Sequence, residues 1–276
     1  MPAAVAAAAT AARSRAPVAG NLTLTRVLRS EWTKLRSVRS TWWLLSVTAV
    51  ITVGVAVLLP PGATSGKPAS AVPYTLARST EYGSVLSQLT LLVLGILVFT
   101  GEYGSGMIRA SLSVVPRRLL LLWGKLGAFG AVALALSLAS SAAAFVLGEL
   151  LWQARHGHTR VWFGDPQVTR IVVGAGLVLA VTGIFGLATG AIIRNTAAGL
   201  SAVVGIFFVL PLLLRLALPE SDQGFLRFMP SNAGGALWDA ALSPTSMSPW
   251  SGFALLCGYT AAIIAVAAWR LRHGDA

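Results

Sequence analysis

The chain has 276 residues, of which 55% are hydrophobic and 11% charged, and its mean hydropathy is +0.74. Soluble domains carry about 25% charged residues, so a water-soluble fold of this composition would leave much apolar surface in contact with solvent. The formal net charge is +12, yet no nucleic-acid-binding motif accompanies it, and we expect no nucleic-acid partner. The basic residues lie beside apolar stretches, which indicates contact with anionic lipid headgroups.

The two ends of the chain are predicted to be short tails. Residues 1–21 are rich in alanine and are expected to be disordered. Arg13 and Arg15 follow the apolar part of this segment, whereas a secretory signal carries its charge first. The single cysteine, Cys257, lies in an apolar stretch and cannot form an intrachain disulfide. We therefore assign 1–21 and 273–276 as tails around one transmembrane domain, residues 22–272.

Six continuous apolar stretches occupy most of this domain. Each is close to the roughly 20 residues that a helix needs to cross the hydrocarbon core. Barrel strands would be half as long and would alternate apolar with polar residues. The sequence thus predicts an all-α integral membrane protein with six transmembrane helices and an amino-terminal amphipathic interface helix. The predicted spans lie near 42–59, 85–100, 119–151, 171–193, 196–218 and 251–269.

The distribution of basic residues predicts the orientation. An even number of spans places both termini on one side, and most of the 21 Lys and Arg residues then fall in the segments on that side. The positive-inside rule assigns this side to the cytoplasm. Residues 60–84, 152–168 and 219–250 become outer connections, and the last of these is apolar enough to be half-buried.

Residues 22–40 are predicted to form the interface helix. Leu24, Leu28, Trp32, Leu35 and Val38 recur every three to four residues, and most of the remaining positions are basic or hydroxylated. This periodicity is typical of a helix that lies along a membrane surface. A simple topology anchor would show the same pattern, so periodicity alone leaves both interpretations open.

The connector after the second span is rich in glycine and is predicted to be briefly helical before Pro116. Glu102 lies at the membrane edge, and Arg109 follows two helical turns later. The two side chains would face the same side if the glycines permit a helix. A solvated connector with ordinary positive-inside charge is the alternative.

The sequence resembles the permease subunits of type-2 ABC exporters of bacteria. The resemblance rests on SEWTKLRSVRSTWW before the first span and GEYGSGMIRASLSVVPRR after the second. RNTAAGLSAVVGIFFVLP at the fifth span and FMPSNAGGALWDA before the sixth are similar to the same family. Each motif is loose, but together they cover residues 22–272 in the expected order.

This resemblance implies partners and site residues. Two permeases, identical or different, would assemble with two ATPase subunits in the bacterial plasma membrane, for efflux. ATP and Mg²⁺ would be used by the partner ATPase. The resemblance also implies a short cytoplasmic coupling helix that couples to the ATPase, at 102–118, with candidate residues Glu102, Tyr103, Gly106, Arg109, Pro116, Arg117 and Arg118. The interface helix would contribute Glu31, Trp32, Lys34 and Arg36.

Other functions are less well supported by the residues. The segment from Gly62 to Lys67 has the wrong spacing for a phosphate loop, so we expect no ATP hydrolysis and no cofactor in this chain. His156 and His158 lack a third ligand, so no metal site is expected. A secondary transporter would need an ionisable residue near mid-membrane, and the cores of the predicted spans, which are 126–148 in the third and 196–214 in the fifth, carry no Asp, Glu, Lys or Arg. A membrane anchor of a signalling complex stays open as an alternative.

Overall fold

The computed structural model describes residues 23–58, 72–104, 106, 118–156, 164–239 and 247–273. Every regular element in these ranges is a helix. The helices lie at Leu24–Ser37, Arg39–Leu58, Val72–Gly104, Arg118–His156, Pro166–Ile193, Thr196–Val204, Leu210–Ala217, Pro230–Trp238 and Pro249–His273, with a π-helical turn at Gly205–Val209 and a 3₁₀ helix at Glu220–Phe228.

Six of the described helices are long and apolar enough to cross a membrane, which confirms the predicted number. We name them spans 1 to 6, and their apolar parts are Arg39–Leu58, Tyr82–Gly104, Leu119–Leu151, Pro166–Ile193, Thr196–Ala217 and Pro249–His273. The chain is thus an all-helical protein with the features of a multi-pass membrane protein.

The helices extend beyond several predicted boundaries. The helix that contains span 2 begins at Val72, so residues 72–84, which were predicted to be loop, are helical. The helix of span 3 continues to His156, and span 4 begins at Pro166. Backbone groups in lipid must be satisfied within the segment, which requires a helix in the apolar core and does not prevent that helix from continuing beyond it. Charged residues consequently lie inside helices near their ends.

Span 4 forms the centre of the bundle. In the most apolar stretch of span 4, 78% of the residues are buried inside the structure, whereas in spans 5 and 6 the share is 22%. Span 4 contacts span 2 through glycines: a Cβ on Gly186 would lie 2.5 Å from the backbone oxygen of Leu92, and one on Gly190 would lie 3.0 Å from that of Ile96. The spacing of Gly183 and Gly186 was too common in the sequence to indicate an interface, and the fold assigns it to this close contact.

Hydroxyl groups join spans 1 and 2. The Thr48 and Thr90 hydroxyls lie 2.7 Å apart, and so do those of Thr52 and Ser87. All four side chains also bond within the bundle to backbone carbonyls, so none of these hydroxyls is left to apolar surroundings alone. Such pairs hold helices together where apolar side chains gain little from leaving lipid.

Residues 220–238 fold back against the bundle as two short helices. The helix at Pro230–Trp238 buries Leu237 and Trp238 and packs on spans 4 and 6. The Arg170 guanidinium of span 4 donates to the Leu237 and Asp239 backbone oxygens at 2.7 and 3.0 Å. A cation at a helix carboxyl end is favoured by the helix dipole. The half-buried character predicted for 219–250 is confirmed for this described part.

Candidate functional site

The helix at Leu24–Ser37 presents one protein-facing side. Val27, Glu31 and Leu35 lie four residues apart, so they share a face, and all three are buried. This face packs mainly against span 3. The helix ends at Val38, whose backbone is extended, and span 1 begins at the next residue. A helix therefore lies within the predicted segment 22–40 and buries a glutamate, and its place along a membrane surface stays a prediction.

Four charged side chains meet where this helix crosses the bundle. Lys34 Nζ lies 2.7 Å from Glu31 Oε1 and 3.0 Å from Glu102 Oε1. Lys125 Nζ lies 2.8 Å from Glu31 Oε2 and 2.7 Å from Glu102 Oε1. We call Glu31, Lys34, Glu102 and Lys125 the ionic cluster. It joins the amino-terminal helix to the end of span 2 and the beginning of span 3.

The cluster is buried and electrically balanced. The Lys125 side chain is 2% exposed, Glu31 3% and Glu102 9%, whereas Lys34 retains 32%. Taking such charges out of water costs several kcal/mol each unless they are paired and hydrogen-bonded. The cluster meets that condition because each of the two ammonium groups pairs with both carboxylates. Burial lowers the pKa of Lys34, but hydrogen bonds and attraction from Glu31 and Glu102 outweigh it, so the pKa is raised.

One atom of the cluster is incompletely satisfied. Glu102 Oε2 is buried and accepts no hydrogen bond from the residues that the structure describes. Its other oxygen, Oε1, accepts from both lysines. Glu102 is therefore held in place through one carboxylate oxygen, while the other is a buried acceptor without a described partner.

Aromatic and polar contacts surround the end of span 2. The Tyr103 ring stacks on Phe99 with centroids 5.8 Å apart, and the Arg194 guanidinium lies 5.6 Å from the Tyr103 centroid. Arg194 ends span 4 in the left-handed conformation, with φ of 60°. Thr196 donates to the Thr100 hydroxyl at 2.8 Å. Span 5 thus begins beside the ionic cluster, at the same end of the bundle.

The chain leaves span 2 through a glycine turn. The helix ends at Gly104, and Gly106 has φ of +71°, a conformation that side chains with a Cβ adopt rarely. The Gly106 N–H donates to the Tyr103 carbonyl at 3.2 Å. Glycine is therefore required at 106 by the backbone.

The structure gathers only part of the predicted site. Glu31, Lys34 and Glu102 come together, and Tyr103 and Gly106 lie beside them. Trp32 is 50% exposed, and Arg36 is exposed as well. Arg109, Pro116 and Arg117 lie outside the described residues, as does the Arg118 side chain. The predicted facing of Glu102 and Arg109 therefore stays a prediction.

Lys125 is the cluster residue that the sequence analysis missed. It was counted only among the basic residues that set the orientation. Its position in the sequence could have indicated a buried charge, because Lys125 lies within a predicted span, between the apolar run Leu119–Gly124 and Leu126. A charge inside such a stretch is expensive and implies a partner.

The cluster consists of ion pairs that connect the amino-terminal helix with spans 2 and 3. Each carboxylate is held by both ammonium groups, and Glu102 Oε2 is the buried acceptor that stays without a described partner. Within the described ranges, no three His, Cys, Asp or Glu side chains gather where they could hold a metal ion.

Comparison with protein-family models and with curated proteins finds no match to this chain.

Proposed function

We propose that this chain is the membrane-spanning permease subunit of an ATP-binding-cassette exporter in the bacterial plasma membrane. The observation that supports this most is the ionic cluster. It links the two segments that, by the resemblance of their sequences, would receive a motor subunit: the amino-terminal helix and the connector from Glu102.

The proposed mechanism follows from the stiffness of this link. A motor that moves the 102–118 connector would act on the end of span 2, and Lys125 would pass that displacement to span 3. The amino-terminal helix would move with both, since Glu31 and Lys34 bind the same partners. Close glycine packing of span 4 on span 2 would extend the movement through the bundle. Each state of such a cycle requires its own set of contacts.

The orientation belongs to the same proposal. Both termini and the ionic cluster would lie on the cytoplasmic side, where the ATPase is. Single cysteines at positions 70, 113 and 160, introduced in a Cys257→Ser background, provide the test. A membrane-impermeant maleimide added to intact cells should label positions 70 and 160 and leave position 113 unlabelled. Labelling of position 113 from outside would overturn the orientation.

The decisive test of function is the identity of the partner. The tagged chain, cross-linked and purified from its native membrane, should retain an ABC ATPase and a second permease, identified by mass spectrometry. ATP hydrolysis by this complex would then be measured in nanodiscs. Retention of a signalling protein with no ATPase would support the membrane-anchor alternative instead.

Charge reversal in the connector separates coupling from folding. Arg109→Glu should reduce ATPase retention while the chain still inserts and purifies normally. Arg272→Glu, in the last turn of span 6, is the matched control and should retain the ATPase. Equal retention by both variants would show that the connector does not receive the motor.

A further inference from the structure

A large cavity lies at the end of the bundle opposite the ionic cluster. Its volume is about 980 Å³. It is bounded by Val85 and Gln88 of span 2, by the second half of span 5, and by the folded-back segment between Gln223 and Asp239. Gln88 precedes Glu102 by about 21 Å along the same helix, at 1.5 Å per residue. None of the ionic cluster residues lines it.

One wall of the cavity is aromatic and aliphatic. The π-helical turn Gly205–Val209 carries Phe207 and Phe208, and both line the cavity with Pro211 and Leu212 of the next turn. In that turn the Leu210 N–H bonds to the Gly205 oxygen five residues back. Such turns widen a helix locally and occur often at functional sites. This wall offers apolar contact to a ligand rather than hydrogen bonds.

The cavity also carries unpaired hydrogen-bond donors, one on span 5 itself and the others on the folded-back segment. Arg215 and Arg227 both line the cavity, and neither guanidinium forms an ion pair or a hydrogen bond with the residues that the structure describes. The Arg227 guanidinium rests 4.9 Å from the Phe228 ring centroid. The Ser231 hydroxyl is buried without a hydrogen-bond partner in the same ranges. These groups favour an anion, because guanidinium forms strong paired bonds to phosphate and carboxylate.

The acidic lining residue does not neutralise these arginines. Asp239 is the carboxylate among the described lining residues; its charge acts on Arg170, whose guanidinium also donates to the Asp239 backbone oxygen at 3.0 Å, and it forms no ion pair with Arg215 or Arg227. Gln223 and Asn232 use their side-chain amides for the backbone oxygens of Leu218 and Leu226, at 3.3 and 2.8 Å. Most polar groups here therefore maintain the shape of the wall, while the two arginines and Ser231 are available.

We propose that this cavity binds an amphiphile with an anionic headgroup and a hydrocarbon chain. The headgroup binds Arg215, Arg227 and the Ser231 hydroxyl, and the chain lies against Phe207, Phe208 and Leu212. The volume is at the upper end of the range for small-molecule sites, about 300–1,000 Å³, and suits a ligand with both parts. This site is independent of any ATPase, and it goes beyond the proposed transport function.

Binding is measured on the full-length chain purified in a neutral detergent, by native mass spectrometry. The probes are dodecyl phosphate, decanol as its uncharged counterpart, and inorganic phosphate as a headgroup without a chain. Dodecyl phosphate should bind at least tenfold more tightly than either. Arg215→Gln and Arg227→Gln should each weaken it about tenfold, as expected for the loss of a charge-assisted bond.

Two control variants make the test specific. Arg272→Gln removes a basic residue that does not line the cavity, and it should bind like the unmodified chain. Gly224→Leu adds a large side chain at a lining position where an added Cβ meets nothing within 4 Å, and it should weaken dodecyl phosphate binding at least tenfold. Gly258→Leu, which has equal space but lies outside the cavity, should not.

The results decide which chemical groups the cavity recognises and whether its ligand comes from the bilayer. Equal affinity for decanol, equal affinity for inorganic phosphate, or equal effects of Arg215→Gln and Arg272→Gln would overturn the proposal. Phosphatidylglycerol retained through purification and displaced by dodecyl phosphate would support the site and identify a bilayer lipid as its source. Specific dodecyl phosphate binding without retained phosphatidylglycerol would support the site and identify a free amphiphile.

Discussion

Replacing Lys125 with methionine would remove the charge that bridges Glu31 and Glu102 while keeping a long unbranched side chain. Removing one partner of a buried ion pair costs about 3–5 kcal/mol. We expect the lower end of that range, because Lys34 still balances one of the two carboxylates. Release of the amino-terminal helix relieves the penalty by returning Glu31 to water. A cost of about 3 kcal/mol makes the fraction of molecules with a released amino-terminal helix roughly 150-fold larger.

Hydrogen exchange measured by mass spectrometry reports this opening. Backbone amides of residues 27–35 should exchange about 150-fold faster in Lys125→Met, while those of span 4, at the centre of the bundle, should change little. Lys34→Met is the matched control. Its side chain is 32% exposed against 2% for Lys125, so its loss should accelerate exchange less than about fivefold.

A double variant tests the electrostatic reasoning directly. Glu31→Gln with Lys125→Met restores a cluster of zero net charge, made of Lys34 and Glu102. Because paired replacement removes both buried charges, exchange in residues 27–35 should fall well below that of Lys125→Met alone. If the double variant exchanges as fast as the single variant, or if Lys125→Met and Lys34→Met behave alike, the cluster does not hold the helix through charge.

Three further changes probe the packing, the titration and the folded-back segment. Gly186→Ala should lower the thermal unfolding temperature, at a cost of about 1–3 kcal/mol, because its Cβ meets a backbone oxygen, whereas Gly258→Ala meets nothing within 4 Å. The raised pKa of Lys34 means that its stabilisation is complete below about pH 10.4, its unfolded value, and is lost as the pH rises through the folded pKa. Arg170→Met should accelerate hydrogen exchange in residues 230–238 about tenfold or more, since two carbonyls lose a charged donor.

Each of these has a result that contradicts it. Equal unfolding temperatures for the two glycine variants would mean that spans 2 and 4 can separate without cost. For the titration, tryptic cleavage of the amino-terminal helix should be constant from pH 7 to 10 and accelerate above that; Lys34→Met is the control and should lack the step. Unchanged protection of residues 230–238 in Arg170→Met would assign their stability to packing alone.

The sequence predicted the helices well because their signal is local. Continuous apolar stretches identify spans without knowledge of neighbours, and the amphipathic pattern before span 1 identified a helix. Boundaries were predicted less well. Residues 72–84 contain Pro73 and polar side chains typical of a loop, yet they continue the helix of span 2. Helix ends depend on contacts that composition does not encode.

The site was predicted in part for the same reason. Glu102 stood out as a charge at the membrane edge, and the family resemblance drew attention to its segment and to the one that carries Glu31 and Lys34. That they bind one another, through Lys125, could not be read from residues separated by up to 94 positions. The burial of Glu31 was equally hidden, since its helix places it on the same side as Val27 and Leu35.

The sequence by itself determined that this chain forms six apolar helices, because the choice between lipid and water depends on composition over each stretch of about 20 residues. The tertiary structure alone decided which charges are paired and which glycines lie at contacts between helices. Those choices depend on how far neighbouring helices are shifted and rotated relative to one another. When a helix is hydrophobic on all faces, the sequence pattern does not indicate which face meets which neighbour. The amino-terminal helix illustrates both: its existence follows from periodicity, and its attachment follows from two lysines and two glutamates meeting in three dimensions.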